Sequence, residues 1–208
     1  MENIFLKLPL FDGYVVDSSL INQAELNEFL KENGLTLVEK IGKGFSSIIY
    51  LVKAKDGRLY ALKIQRIDSP RKDALEREFQ NLSLANRHGI GPKIIAYDKD
   101  RKILLMEFID GISFRKWILQ RPEKEKLRKF LIELFKQAKK LDEIGLSHGQ
   151  LAGKGTNILV NKQNMPVIID FEKASTKRKC RNLFQLISLI VTNPHSIIPK
   201  IVREILQS

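Results

Sequence analysis

Residues 41–50 read IGKGFSSIIY, with two glycines where one β-rich segment gives way to the next. Strands joined through glycines form a hairpin whose backbone can approach phosphate groups closely. Because a strand follows the glycines where the dinucleotide-binding βαβ fingerprint needs a helix, that fingerprint is excluded. A plain hairpin turn explains the same glycines, so this loop alone assigns no function.

The glycine loop belongs to a longer run of predicted strands and helices. The β-rich segments are residues 35–41, 48–54, 59–67, 93–97, 102–108, 158–160 and 167–169. A helix is predicted from about residue 70, with Ser69 as its N-cap and Pro70 at its first position. The later helical segments are residues 113–120, 122–144, 178–192 and 195–207. Five strands with one helix, followed by a mainly helical part, predict an α+β fold with two lobes.

The predicted organisation has three parts. Residues 1–34 form an appendage with a short strand and a helix, 35–110 the smaller lobe, and 111–208 the mainly helical lobe. With 43% hydrophobic and 29% charged residues, the composition is that of a globular chain. The net charge of +12 favours a polyanionic partner, although a lysine-rich solvated surface explains the charge alone equally well.

Cysteine content and hydropathy indicate the cellular compartment in which the chain folds. Cys180 is the single cysteine, which excludes an internal disulfide and a CxxC metal site. The first residues lack the profile of a signal peptide, and the most apolar tract, 183–191, is too short to span a bilayer. We therefore expect a soluble cytoplasmic protein without a membrane partner.

Lys63 stands in an otherwise apolar predicted strand, 19 residues after Gly44. Lysine is rarely enclosed unless it is paired, so the strand predicts a carboxylate partner. Glu78, on the following helix, is the predicted partner. The alternative is an edge-strand lysine whose ammonium reaches solvent.

Together with three later motifs, these residues resemble the protein-kinase-like superfamily. Residues 104–111, LLMEFIDG, resemble the hinge that hydrogen-bonds adenine, with Met106 as gatekeeper. Residues 147–157 begin SHGQL and resemble the catalytic loop. Residues 167–172, VIIDFE, resemble the metal-binding strand end, with Glu172 where most kinases carry glycine. The 13 residues from Asn157 to Asp170 match the spacing of the superfamily's two metal ligands.

The resemblance implies a kinase that uses ATP and Mg²⁺. Lys63, held by Glu78, would bind the α and β phosphates, while Asn157 and Asp170 would hold the metal. The implied catalytic residues are Lys63, Glu78, Gln150, Lys154 and Asp170. The implied nucleotide-binding residues are Ile41, Gly42, Lys43, Gly44, Ser47, Ile49, Ala61, Lys63, Met106, Glu107, Phe108, Ile109, Leu159 and Ile169.

The catalytic loop departs from the superfamily pattern in two ways. Gln150 stands where the catalytic aspartate is expected, and an amide can accept a hydrogen bond but cannot take a proton. Asn157 follows Gln150 by seven residues instead of five, so an insertion of two is predicted before Lys154, the counterpart of the catalytic-loop lysine. His148 could act as a base, but the resemblance implies a structural histidine.

The segment after residues 167–172 indicates which class of substrate the chain binds. Only 36 residues follow Glu172, which predicts a minimal C-lobe without an activation segment or peptide-binding helices. The segment opens with a basic run that predicts RNA contacts from Lys173, Lys177, Arg178, Lys179 and Arg181.

This lobe resembles the archaeal RIO and Bud32-like kinases, and most of all the archaeal RNA kinase family that phosphorylates a tRNA ribose 2′-hydroxyl. The resemblance implies tRNA as the partner, with a variable-loop uridine as the acceptor and thermal stabilisation of tRNA as the outcome. Two alternatives stay open: a protein serine/threonine kinase, and a non-catalytic nucleotide-binding module suggested by Gln150. The oligomeric state is left open.

Overall fold

The computed structural model describes residues 19–207. These residues form two antiparallel sheets and six α-helices, joined by turns and loops. The helices are α1 (Gln23–Glu32), α2 (Ala74–Asn86), α3 (Phe114–Leu119), α4 (Lys124–Glu143), α5 (Asn182–Ile187) and α6 (Ile197–Gln207). The strands are β1 (Leu35–Lys43), β2 (Ser47–Ala54), β3 (Leu59–Gln65), β4 (Ile94–Asp98), β5 (Ile103–Glu107), β6 (Gly111–Ser113), β7 (Ile158–Asn161) and β8 (Pro166–Ile168). This is the α+β fold that the sequence predicted; the predicted strand at 14–16 lies outside the described residues.

The first sheet has the strand order β1-β2-β3-β5-β4, with all neighbours antiparallel. Strand β3 is therefore central, and Lys63 lies opposite Ile49 of β2 and Leu104 of β5. The side chain of Lys63 is buried. The alternative of a lysine on an edge strand is thus wrong, because hydrogen-bonded strands flank β3 on both sides.

Helix α1 packs against this sheet. Leu26, Phe29 and Leu30 are buried in one apolar cluster with Ile48 of β2. At the far end of the sheet, the guanidinium of Arg101 pairs with carboxylates of α1 and of strand β4, at 2.7–3.0 Å. The predicted helix of the appendage is thereby part of the core of the sheet.

A second, larger apolar core runs from the first sheet into the helical part. It contains Leu104 and Met106 of β5, Leu82 of α2 and the inward faces of α4 and α6. Gly91, at φ +83°, makes the packing of α2 close: a Cβ there would lie 2.6 Å from Leu82 Cδ1 and 3.0 Å from Phe171 Cε2. Helix α2 therefore packs directly on the turn that follows β8.

The second sheet has the strand order β6-β7-β8, with both pairs of neighbours antiparallel. Strand β6 was not predicted, since its three residues carry no periodic pattern. Gly111 opposes Asn161 of β7, and a Cβ at Gly111 would lie 2.2 Å from Val160 O. Only glycine permits this pairing, so Gly111, the last residue of the predicted hinge segment, is a requirement of the sheet.

Two helices begin later than predicted, because side chains from other elements satisfy their first amides. Helix α2 begins at Ala74 instead of about 70: Gln65 of β3 accepts from Leu75 N–H (3.2 Å) and donates to Lys72 O (3.1 Å). Ser69 bonds Arg71 instead of capping the helix.

Helix α5 begins at Asn182 instead of 178, since the Asp142 carboxylate accepts from the N–H groups of Asn182 and Leu183 (2.9 and 3.1 Å). Beyond α5 the chain makes one π-helical turn, Ser188–Thr192, before α6. No helix within residues 19–207 has both the length and the apolar character needed to cross a membrane.

Candidate active site

A cavity of about 640 Å³ lies between the first sheet and strands β7 and β8. Its walls are apolar on both sides. The side chains that form them are Ile41, Ile49, Ala61, Leu82, Met106, Leu159 and Ile169. Two opposed apolar walls suit a flat ring such as adenine, while the polar groups collect at one end of the cavity, around Lys63 and Asp170.

The end of β5 borders the cavity at the predicted hinge. Met106 is buried there, and Phe108 and Ile109 line the cavity next along the chain. Glu107 also lines it, but its N–H donates to Lys93 O (2.8 Å) and its carboxylate accepts from Lys93 N–H (3.2 Å). The amide and the side chain of Glu107 are therefore already bonded to Lys93.

Lys63 and Glu78 form a buried ion pair at the polar end, with Nζ 2.5 Å from Glu78 Oε2. The same ammonium lies 3.3 Å from Asp170 Oδ1. Burial alone would lower the pKa of Lys63, but the carboxylates of Glu78 and Asp170 outweigh burial and raise it above its usual range. Burial raises the pKa of Glu78, which the Lys63 ammonium opposes. The lysine therefore stays charged at the polar end of the cavity.

Asp170 and Asn157 meet at the same end of the cavity. Ile169 N–H donates to Asn157 O (3.0 Å), which places the start of β7 beside the residue that follows β8. Asp170 has φ +66°, a left-handed conformation that costs most residues energy and that occurs often at functional sites. An amide and a carboxylate oxygen donor facing one cavity fit Mg²⁺, which would neutralise phosphate charge there.

Part of the glycine loop borders the cavity. Gly44 and Ser47 line it, and Gly44 N–H donates to Ser47 O (2.8 Å), which closes the hairpin. Gly42 and Lys43 are not brought to the cavity. Neither residue lines it: a Cβ at Gly42 would meet the Ile49 side chain at 3.4 Å, and Lys43 is exposed at the end of β1.

Helix α5 holds the catalytic loop at two points. Asn182, fully buried, accepts from His148 N–H (2.8 Å) and donates to Asp142 and to Leu146 O (2.8 Å each). One turn later, Gln185 accepts from Leu151 N–H (3.0 Å). Both ends of the segment 148–151, which contains the predicted catalytic glutamine, are thus fixed by one helix.

His148 is a structural residue in this arrangement. Its Nε2 donates to Ile169 O (3.0 Å), because a carbonyl can only accept, and its ring packs edge-on against Phe171. Burial lowers the pKa of His148 below its ordinary value, although the hydrogen bond to Ile169 O opposes the change. The imidazole is therefore neutral and ties the catalytic loop to the strand end before Asp170.

The structure separates Gln150 from Lys154. Gln150 lines the cavity, and its Oε1 is buried without a hydrogen-bond partner among residues 19–207. Lys154 is exposed and does not line the cavity. The inserted residues explain this correction: Gly153 turns back on Gln150 O, and Gly155 O accepts from Arg115 N–H of α3, so the loop bows away from the cavity.

The basic run 173–181 leads out of the cavity. Lys173 lines the cavity, and Lys177, Lys179 and Arg181 are exposed. None of these four forms an ion pair within the part of the chain that the structure describes. Arg178 differs from the prediction, because its guanidinium donates to Lys173 O and lies against Gly149, where a Cβ would be 2.6 Å from it. Arg178 supports the catalytic loop.

Five residues that line the cavity were not among the predicted site residues: Phe45, Arg71, Leu82, Pro92 and Glu172. Phe45 belongs to the glycine loop, where the glycines drew the attention, while Arg71 and Pro92 stand in turns outside any motif and Leu82 is one of the apolar residues of α2. For Glu172, the departure from the usual glycine was the signal that could have found it. Its carboxylate accepts from Ser46 Oγ (2.9 Å) and pairs with Arg71 (3.0 Å).

Known proteins share this chain's sequence pattern. The family model of the protein kinase domain matches residues 35–202. The chain is 33% identical over 85 residues to the uncharacterized protein MJ1211 of Methanocaldococcus jannaschii, covering 41% of this chain and 71% of that protein. It is 30% identical over 123 residues to the KEOPS complex subunit Bud32 of Pyrococcus abyssi, covering 58% of this chain and about half, 53%, of that protein. With this match over most of its length, and with its buried lysine–glutamate pair, the chain belongs to the protein kinase domain family and is an ATP-dependent phosphotransferase.

Proposed function

We propose that this kinase transfers the γ-phosphate of ATP to a ribose 2′-hydroxyl of structured RNA, with a variable-loop uridine of tRNA as the acceptor. The observation that carries the proposal is the exposed basic surface of Lys173, Lys177, Lys179 and Arg181, which begins inside the cavity. Such cations bind an RNA backbone by neutralising phosphates and do not read the sequence. The net charge of +12 supports the same class of partner.

Gln150 gives the second support. Its buried Oε1, without a protein partner within residues 19–207, can accept a hydrogen bond from an incoming hydroxyl and aim it. In the transfer, the hydroxyl oxygen bonds the γ-phosphorus while the bond to the β–γ bridging oxygen breaks and ADP leaves. The hydroxyl proton passes late to a phosphate oxygen or to water, as a loose transition state allows. A ribose 2′-hydroxyl is more acidic than that of serine and tolerates a missing carboxylate base better.

Phe184 adds an aromatic group to the basic surface. It lies three residues after Arg181, on α5, and is 72% exposed. Unpaired bases of folded RNA stack on exposed aromatic side chains, and every base can do so because each has a π-face. A basic run that ends three residues before an exposed phenylalanine suits an RNA in which one nucleotide is turned out of the stack, since the cations can bind its backbone and the ring can stack on its base.

A protein serine/threonine kinase is the second candidate, favoured by the family that the chain belongs to. A non-catalytic nucleotide-binding module is disfavoured. Lys63, Glu78, Asn157 and Asp170 all line one cavity, and a degenerate site would be free to lose them.

The deciding experiment offers both acceptor classes in parallel. The full chain is incubated with γ-labelled ATP and total tRNA, bulk RNA or a generic protein substrate, with Asp170→Asn as the inactive control. Nuclease digestion and mass spectrometry then locate the phosphate. We expect label on a ribose 2′-oxygen of tRNA. Label on protein serine or threonine alone, with tRNA unlabelled, would overturn the RNA assignment.

Gln150→Ala tests the role of the amide in the same assay. We expect kcat to fall by about 10- to 100-fold, less than the loss of a true general base costs, with little change in the KM for RNA. Gln163→Ala, in the exposed turn between β7 and β8, is the matched control. An unchanged kcat in Gln150→Ala would remove this residue from the site.

A further inference from the structure

Glu172 joins three segments of the chain at one oxygen atom. Its Oε1 accepts from Ser46 Oγ (2.9 Å), in the glycine loop, and pairs with Arg71 Nη1 (3.0 Å), in the turn before α2. Only 12% of the Glu172 side chain is exposed. A carboxylate placed this deep needs a positive partner, since an unpaired buried charge is costly.

The guanidinium of Arg71 contacts Glu172 and the Phe45 ring, while two of its nitrogens stay without a protein acceptor in the described part of the chain. Its guanidinium lies 5.6 Å from the centre of the Phe45 ring, and Nη1 is bonded to Glu172. Within residues 19–207, Nε and Nη2 have no protein acceptor. Arg71 lines the nucleotide cavity together with Phe45 and Glu172, so these donors border the space under the glycine loop.

The charges of the cavity favour such a donor. The ammonium of Lys63 is shared between Glu78 and Asp170, while the cavity also contains the carboxylate of Glu172. A triphosphate would be repelled by that carboxylate unless a cation lay between them. Arginine suits this position, because its planar fork can bond a carboxylate on one side and phosphate oxygens on the other.

We propose that Arg71 is a second phosphate-binding cation of the nucleotide site, specific for the terminal phosphates of ATP, and that Glu172 is its positioning residue. Lys63 neutralises the phosphates from the central strand, and Arg71 from beneath the glycine loop. The glutamate that replaces the usual glycine then has a defined task, which is to fix the guanidinium in place. In the opposite reading, the contacts of Glu172 clamp the glycine loop shut and hinder ATP.

Calorimetric titration of the full chain with MgATP, MgADP and AMP separates these readings without an acceptor. We expect Arg71→Ala to weaken MgATP binding by about 10- to 100-fold, the range for hydrogen bonds to charged groups, and AMP binding by less than about twofold. Arg71→Lys restores the charge but not the fork, so we expect partial recovery. Glu172→Gly weakens MgATP binding less than Arg71→Ala does.

A double variant tests whether Glu172 acts through Arg71. If it does, Arg71→Ala with Glu172→Gly binds MgATP as Arg71→Ala alone does, because the two effects are not additive. Arg77→Ala, an exposed arginine of α2 paired with Asp73, is the matched control. Equal losses for ATP and AMP in Arg71→Ala, or unchanged ATP binding at an unchanged melting temperature, would overturn the proposal. Tighter ATP binding by Glu172→Gly would establish the clamp instead.

Discussion

Lys63 connects the central strand, helix α2 and the end of β8 through one ammonium group, 2.5 Å from Glu78 and 3.3 Å from Asp170. Replacing it by alanine leaves the Glu78 carboxylate buried without a cation. We expect Lys63→Ala to lower the free energy of unfolding by about 3–5 kcal/mol, the usual result of breaking a buried pair. Urea denaturation measures this change, and combining Lys63→Ala with Glu78→Gln should recover part of it. Wild-type stability in Lys63→Ala would contradict the pairing.

Asp170→Asn affects activity and leaves the fold intact. The amide keeps the shape of the side chain but removes the charge that a divalent cation and Lys63 share. We expect phosphoryl transfer from γ-labelled ATP to fall by more than about 100-fold, since electrostatic groups at a reacting phosphate contribute at least this much. The melting temperature should be unchanged. Wild-type turnover in this variant would place the metal site elsewhere.

His148 makes stability depend on pH. Burial holds the pKa of His148 below its ordinary value of 6.5, so near that pH the unfolded chain takes up a proton that the folded chain does not. The free energy of unfolding therefore falls as the pH drops below about 6.5 towards the folded-state pKa. We expect His148→Gln, which cannot be protonated, to show a flatter melting temperature between about pH 7.5 and 5. His195→Gln, at an exposed position, should retain the wild-type slope.

Helix α5 is the element on which the catalytic loop depends, and Asn182 is its key contact. Asn182→Ala leaves His148 N–H and Leu146 O without their partner in a buried place, each at about 1–3 kcal/mol. Asn182→Asp should be worse still, because it sets a second carboxylate against Asp142. Urea denaturation of both variants gives the order. An Asn182→Asp variant more stable than Asn182→Ala would contradict this order.

Elements with strong periodicity were predictable from the sequence, while their boundaries depended on distant partners. The five strands of the first sheet and helix α4 stand where the patterns placed them, within a few residues. The starts of α2 and α5 were wrong because Gln65 and Asp142, on other elements, satisfy the first amides of those helices. Local sequence contains no trace of such a partner. Strand β6 was missed for the same reason, since it exists only against β7.

The site residues also fall into those that the sequence predicted and those that only the fold reveals. Lys63, Glu78 and Asp170 were predictable, because a lysine in an apolar strand requires a partner and the motifs follow in order. Arg71 was not, because it reaches the cavity from a turn and only the fold brings it to Glu172. The exposed position of Lys154 was equally hidden, since an insertion changes the path of a loop in a direction that spacing does not give.

At the scale of the whole molecule, the basic surface should govern RNA affinity. We expect replacing Lys177, Lys179 and Arg181 together by alanine to raise the KM for tRNA and to flatten the dependence of log affinity on log salt by about 2 to 3 units. The kcat should change much less, because these side chains lie outside the cavity.

A charge-matched triple variant of α4 is the control for this experiment. Its members, Lys126, Arg128 and Lys136, are each paired with a glutamate on the surface. The same loss of affinity in both triple variants would show that net charge alone binds the RNA.

The close packing of helix α2 has a consequence for control of the enzyme. Gly91 lies between Leu82 and Phe171 with no room for a side chain, and Asn81 donates to the carbonyls of Phe171 and Ala174 (3.3 and 2.8 Å). Helix α2 is thereby bonded to the segment that follows Asp170. Swinging it outward would break these bonds, expose its apolar face and separate Glu78 from Lys63. A helix held in this way is poorly suited to serve as an on–off lever. We therefore expect the folded enzyme to be active without a separate activation step, so that the concentrations of ATP and acceptor set its rate.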